Sequence, residues 1–199
     1  HLRELCNAND ALLIFDEIQS GMGRTGHLYA YQAAEGVEPD IMTLAKALGC
    51  GLPIGAMLAG AKASESLQPG SHGSTFGGNP VACAVARVVL RRMSDPATLA
   101  AITATGEKVV ARLRAFGESR QLFSEVRNVG LMVGAALREP YSAAAGDVTK
   151  VAAKHGVLVL QAGADVVRLL PPLGITDEEL DAGMSRLEAA LDEVAQGIG

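Results

Sequence analysis

The stretch ALLIFDEIQSGMGRTG (11–26), followed by DIMTLAKALGCGLPIGAMLAG (40–60), decides how this chain is read. ALLIF is a continuous apolar run that fits a strand covered on both faces, and it stops at Asp16. A glycine-rich loop, GMGRTG (21–26), comes next and leads into a predicted helix ending near Gly36. DIMTLA (40–45) and IGAMLAG (54–60) are further short apolar segments, predicted as strands of the same sheet. Residues 61–79, rich in Gly, Ser and His, form a predicted long loop, and loops of that length inside a compact domain usually carry function.

Outward from this block the pattern changes. Asn79-Pro80 marks a helix start, because Asn can cap and Pro suits the first helical position. The helix VACAVARVVLRRM runs to about Met93, and Ser94-Asp95-Pro96 breaks it. A domain boundary is placed there, giving residues 1–94 and 95–199. The second part reads as a helix (97–117), two strand-like runs within 123–137 and a helix near 147–155. Strands VLVL (157–160) and VVRLL (166–170) follow, and a last helix begins at the capping box Thr176/Glu179 and ends near Val194. The first half is βαβ-like and the second α+β, so the fold class is α/β. On the other side, HLRELCNAND reads as the last turns of a helix with Leu2 and Leu5 on one face. With no initiator Met, the chain is expected to be the C-terminal half of a longer one.

Composition narrows the function. The 199 residues carry 17 Lys+Arg against 22 Asp+Glu, a net charge of −5, and 49% are hydrophobic. That composition is far from disorder, and a mildly acidic chain without a lysine-rich run does not hold nucleic acid electrostatically. No apolar stretch approaches the roughly 18 residues that span a bilayer, and no signal peptide opens the chain, so a soluble, cytoplasmic protein is expected. Cys6, Cys50 and Cys83 are too scattered for a disulfide framework, and His1, His27, His72 and His155 lack ligand spacing, so no metal is expected.

Chemistry gathers at Lys46. It is flanked by Leu44, Ala45, Ala47 and Leu48, with no acid nearer in sequence than Asp40. Three states suit such an amine: it snorkels to water, it enters a buried ion pair, or it is condensed with an aldehyde as a Schiff base. Asp16 closes an apolar strand where open α/β sheets present ligand-binding side chains, and a carboxylate there can meet a cationic ring nitrogen. Thr75, in GSHGSTFGGNP (70–80), offers a hydroxyl among exposed backbone N–H groups, a phosphate-type environment.

With DEIQSGMGRTG, TLAKALGCGLPIGAMLA and GSHGSTFGGNPVA in this order and spacing, the chain resembles the class III (ornithine-type) pyridoxal-phosphate aminotransferases. FSEVRNVGLMVG and VVRLLPPLGIT resemble that family's small domain, so the likeness covers essentially the whole chain. It implies a type I pyridoxal-phosphate transferase fold, with part of the large-domain sheet in 1–94 and the small domain in 95–199. It also implies pyridoxal 5'-phosphate as cofactor, amino acid and 2-oxo acid substrates, and a homodimer with shared active sites. Lys46 matches the lysine that bonds the cofactor, and Asp16 the aspartate on the pyridine nitrogen, which keeps the ring an electron sink. Ile18 matches the aliphatic residue on one ring face and Gln19 the glutamine near the ring hydroxyl. Thr75 matches the threonine reaching the cofactor phosphate of the neighbouring subunit, and Ser74 a residue donated across the dimer to the substrate end. Arg168 matches the arginine that grips a substrate carboxylate, chemistry suited to a bidentate fork. The chain departs from the pattern at Cys50 and Asn128, where glycine is common; Asn tolerates a left-handed backbone, which makes the second departure mild.

Rival readings stand beside this one. GMGRTG matches the Gly-x-Gly-x-x-Gly dinucleotide pattern, but Asp16 and Glu17 occupy the strand end and would repel a pyrophosphate. Thr43-x-x-Lys46 echoes the Ser-x-x-Lys pair of acyl-transfer enzymes without its partner motifs. Within the family, an ω-amino acid aminotransferase or an aminomutase is the near rival, and an inactive structural half is the non-enzymatic one.

Overall fold

In the computed structural model, which describes residues 1–198, the first apolar run yields strand β1 (Ile14–Asp16). It pairs in parallel with β2 (Ile41–Leu44), and β2 pairs antiparallel with β3 (Ala56–Ala59), giving the order β1-β2-β3. The segments expected to share one sheet do share it. The expectation that the first is covered on both faces is not met among the described residues. Leu12 and Ile14 are 40% and 56% exposed, and only Leu13 of the run is buried. An apolar run favours extended backbone, but what covers it depends on what lies beside it.

Helix α1 (Leu2–Ala8) precedes β1 and leaves Leu2 and Leu5 exposed. Asp40 fastens these pieces: one of its oxygens accepts from the Leu13 backbone N–H and from the Arg3 guanidinium, both at 2.7 Å. The Leu13 N–H first, and then Arg3, hold the Asp40 carboxyl below the usual carboxylate range. The predicted helix before Gly36 is instead one 3₁₀ turn, Ala30–Ala33. Gly26 and Gly36, both left-handed, bracket a segment too short to repay helix nucleation. Packing fixes it instead, Tyr31 stacking on Phe15 of β1 with ring centroids 6.1 Å apart.

The region expected as loop contains a short helix, α2 (Ala61–Ser64), and no further helix or strand before α3 (Pro80–Met93). Asn79 Oδ1 accepts from the N–H groups of Val81 (3.0 Å) and Ala82 (3.2 Å), the cap its sequence position predicts. Asp95 caps α4 (Pro96–Arg120) in the same way, accepting from Ala97 and Thr98. The chain forms two compact units, His1–Ala100 and Ala101–Gly199, divided within α4.

The second unit contains β4 (Phe123–Val129), β5 (Met132–Leu137), α5 (Ala145–Lys154), β6 (Leu160–Ala162), β7 (Val166–Leu169) and α6 (Asp177–Ile198). Its strands form an antiparallel sheet in the order β4-β5-β7-β6. VLVL contributes only Leu160 to β6, and Leu158 is 89% exposed. Alternation sorts the faces: Val133, Ala135, Val167 and Leu169 are buried, whereas Gly134 and Arg168 stand on the opposite face. Helix α6 starts with the capping box as read, Thr176 and Glu179 each bonding the other's backbone N–H. It buries Leu180, Met184, Leu187, Leu191 and Val194, alternating steps of four and three that keep one stripe inward. Arg112 of α4 reaches both Asp181 and Glu188 of α6. No helix among the described residues is long and apolar enough to cross a membrane.

Asn128 is not left-handed; it is a strand residue opposite Val133, and the left-handed position is Gly130. The Asn128 amide donates to the Gly130 carbonyl at 2.9 Å, bracing the β4–β5 turn. Against that turn lies Gly106 of α4, where an added Cβ would sit 1.9 Å from the Gly130 oxygen. Backbone, not a flexible side chain, would have to yield. Gly106→Ala is therefore expected to destabilise the protein by about 1–3 kcal/mol, read as a lower denaturant midpoint, whereas Gly183→Ala, in open space, leaves it unchanged or raised.

Candidate active site

Parallel pairing sets Asp16, the last residue of β1, beside Thr43 of β2. The Asp16 carboxylate is exposed, and both of its hydrogen bonds fall on one oxygen: Oδ1 accepts from the Ile18 backbone N–H (3.0 Å) and the Thr43 hydroxyl (3.3 Å). Oδ2 has no partner among the described residues. Two residues past the end of β2 stands Lys46, the start of a 3₁₀ turn, Lys46–Gly49. Its side chain is exposed, and its amine has no hydrogen-bond or ion-pair partner among the described residues. Of the three states the sequence allows, the ion pair is thus not the one adopted. Lys46 has φ +44°, a left-handed backbone that costs a non-glycine residue free energy and clusters at functional sites. Cys50, at φ +47°, is left-handed as well, which explains why its position suits glycine.

The neighbouring carboxylate does the opposite job. Glu17 is 3% exposed, and its two oxygens accept from the Ser20 hydroxyl (2.7 Å), the Ala30 N–H (3.0 Å) and the Tyr31 N–H (2.9 Å). It thereby caps the only helical turn that follows GMGRTG in the crossover. The N–H groups a dinucleotide pyrophosphate would need are already filled by an anion, which disposes of that reading. Burial, with Tyr31 and Glu17 adding to it, pushes the Tyr29 phenol above its ordinary range.

Ile18 and Gln19 lie half-buried in the turn after β1, beside Asp16. Ser74 and Thr75 lie in a fully exposed loop of the same unit and make no hydrogen bond to Asp16 or Lys46. The Ser74 hydroxyl accepts from the Gly77 N–H at 2.9 Å, while the Thr75 hydroxyl has no partner among the described residues. In the second unit, Arg168 stands on β7 between Gly134 of β5 and Leu160 of β6, and its Nε is buried without a partner among the described residues. An orphaned guanidinium N–H awaits an acceptor such as a carboxylate. No group of three or more His, Cys, Asp or Glu among the described residues is placed to hold a metal ion. The donor set suits an aldehyde-bearing pyridine: a carboxylate with one open oxygen, and at the next strand end an amine with no acid partner.

The family model for class-III aminotransferases matches residues 1–191. The chain belongs to the class-III aminotransferases. It is 51% identical over 195 residues to the acetylornithine aminotransferase of Pseudomonas putida, covering 98% of this chain and 48% of that protein. This aminotransferase chain therefore spans about half the length of the curated relatives it matches. The N-acetylornithine aminotransferase structure from Stenotrophomonas maltophilia superposes with a TM-score of 0.89 at 46% identity, covering 98% of this chain and 51% of that one. An ornithine aminotransferase structure from Toxoplasma gondii (TM-score 0.85, 36% identity, 98% and 46% covered) holds pyridoxal phosphate at partial occupancy in its active site. Class-III membership brings with it the type I pyridoxal-phosphate transferase fold.

Two residues of this site escape the sequence reading. Thr43 is the one polar side chain within the strand IMTL, and that break in an apolar run is the signal. Glu17 is masked by standing next to Asp16 in a pair read together as strand-end charge. Removing the Glu17 carboxylate leaves three donors of the crossover unpaired, each costing about 1–3 kcal/mol when buried. Because these donors are only half-buried, Glu17→Ala is expected to lose about 1–3 kcal/mol in all, with hydrogen exchange accelerated at the Ala30 and Tyr31 amides.

Proposed function

We propose that this chain is the Lys46-bearing part of an acetylornithine aminotransferase, moving an amino group from acetylornithine to 2-oxoglutarate in arginine metabolism. The observation that carries the reading is the partnerless Lys46 amine, held on a left-handed backbone beside the strand end that bears Asp16. The choice among amino donors is supported by the 50–52% identity to several curated acetylornithine aminotransferases.

Pyridoxal phosphate, when bound, supplies an aldehyde carbon that takes an amine and a cationic ring that draws electrons from the substrate carbon. Asp16 would hold the ring nitrogen, its negative charge favouring the protonated form. Ile18 would pack on the ring and Gln19 would serve its hydroxyl. Lys46 Nζ would hold the aldehyde carbon and, as a free amine during turnover, would take up and release the proton of the substrate carbon. Arg168 grips a substrate carboxylate with its fork. Thr75 and Ser74 act in the partner subunit of a homodimer, Thr75 toward the phosphate and Ser74 toward the substrate.

Lys46→Ala is expected to replace the absorption band of the lysine-bonded cofactor with that of the free aldehyde and to slow turnover by about 10²- to 10⁴-fold. A band that persists unchanged in the variant overturns the covalent link. In a panel of acetylornithine, succinylornithine, ornithine and 4-aminobutyrate, acetylornithine should give the highest kcat/KM.

Arg168→Ala removes a charge-assisted hydrogen-bond pair of about 1.5–3 kcal/mol, so KM for the carboxylate substrates rises about 10- to 100-fold. The cofactor dissociation constant stays as it was. Equal loss of cofactor would make Arg168 part of the scaffold.

A further inference from the structure

We infer that Thr43 is a positioning residue for Asp16: its hydroxyl fixes the carboxylate so that Oδ2, and not Oδ1, is the oxygen offered to the cofactor's ring nitrogen. The inference rests on the reading above, that pyridoxal phosphate is held between Asp16 and Lys46.

Three observations lead to it. Asp16 and Thr43 are register partners in a parallel pair, so their side chains leave the same face of the sheet. Both donors that reach the carboxylate, the Ile18 N–H at 3.0 Å and the Thr43 hydroxyl at 3.3 Å, converge on Oδ1. Oδ2 is left with no partner among the described residues, on an exposed side chain.

An aspartate held only by the Ile18 N–H has a single pivot and can turn about its terminal torsion, which is broad and roughly two-fold. A second donor arriving from the neighbouring strand removes that freedom, because both contacts must be kept together. Two donors on one oxygen also leave the unbound oxygen as the better acceptor for an incoming N–H. The anchor has a further property. Thr43 and Lys46 belong to one stretch, the strand and the turn that follows it. The group that aims the carboxylate and the amine that bonds the aldehyde are therefore placed by the same piece of backbone, one for each end of a single ring. An apolar residue in that place would complete the strand IMTL equally well and provide no such link.

The test is made on the loaded holoenzyme with ¹⁵N in the pyridine ring of the cofactor. The ¹⁵N shift, followed against pH, gives the protonation midpoint of the ring nitrogen, and dilution gives the cofactor dissociation constant. Thr43→Val keeps the β-branched shape and removes the donor; Thr43→Ser keeps the donor and removes the methyl. Thr43→Val should weaken cofactor binding about three- to ten-fold, the weight of one hydrogen bond. The ring nitrogen should lose its proton at lower pH, and Thr43→Ser should restore both quantities.

A Val variant with wild-type affinity and midpoint overturns the inference. So does a midpoint that rises, which would mean that the hydroxyl only lowers the basicity of Asp16. So does a Ser variant as impaired as Val, which would assign the effect to methyl packing. Cofactor that fails to bind wild-type protein, or binds unchanged to Lys46→Ala, sinks the reading beneath it; a normal wild-type signal indifferent to Thr43 sinks only this step.

Discussion

The parallel ladder between β1 and β2 is the constraint on which the rest depends. Parallel strands end at the same side of a sheet, and side chains just beyond those ends face a common space, which is why open α/β sheets bind ligands there. Here the ladder brings Asp16 level with Thr43, one short step before Lys46. Were the two strands antiparallel, the carboxylate and the amine would sit at opposite ends of the sheet. The remaining features of the first unit defend this arrangement: Asp40 clamps the start of both strands, and the Phe15–Tyr31 contact folds the crossover back onto β1.

Asp16 and Glu17 show how one dipeptide divides two tasks. Successive residues at a strand end point to opposite sides, so two chemically similar carboxylates meet unlike surroundings. Glu17 is turned inward, where both of its oxygens are engaged in holding the crossover. Asp16 is turned outward and is left incompletely bonded. Structural satisfaction and chemical availability are thus separated by a single peptide unit, and the loop below the site is made rigid without spending the group that the site needs.

Much of this was legible in the sequence, for identifiable reasons. Caps are local, so Asn79, Thr176 and Glu179 announced their helices and behave as read. The strands at 41–44 and 56–59 and the helix at 80–93 follow from apolar pattern and punctuation. What failed was non-local. The helix expected before Gly36 shrank to one turn because the glycines around it are left-handed and its aromatic side chains are engaged with β1. The covering of β1 is not a property of ALLIF but of its neighbours. Asn128 does not adopt the left-handed backbone its position suggests; it is a strand residue whose side chain bonds a carbonyl two residues on. In the site, Lys46 and Asp16 stood out by residue type, whereas Thr43 and Glu17 matter only through whom they touch.

The left-handed backbone at Lys46 has an implication for how this segment can evolve. An L-residue with a Cβ gives up about 1–2 kcal/mol to stay in that region, and glycine gives up almost nothing. The most comfortable occupant is therefore one with no amine at all. Selection for robustness alone would drift toward the small residue and lose the chemistry proposed for Lys46, so on that proposal the segment embodies a stability–activity trade-off, with a lysine retained against the conformational preference of its own main chain.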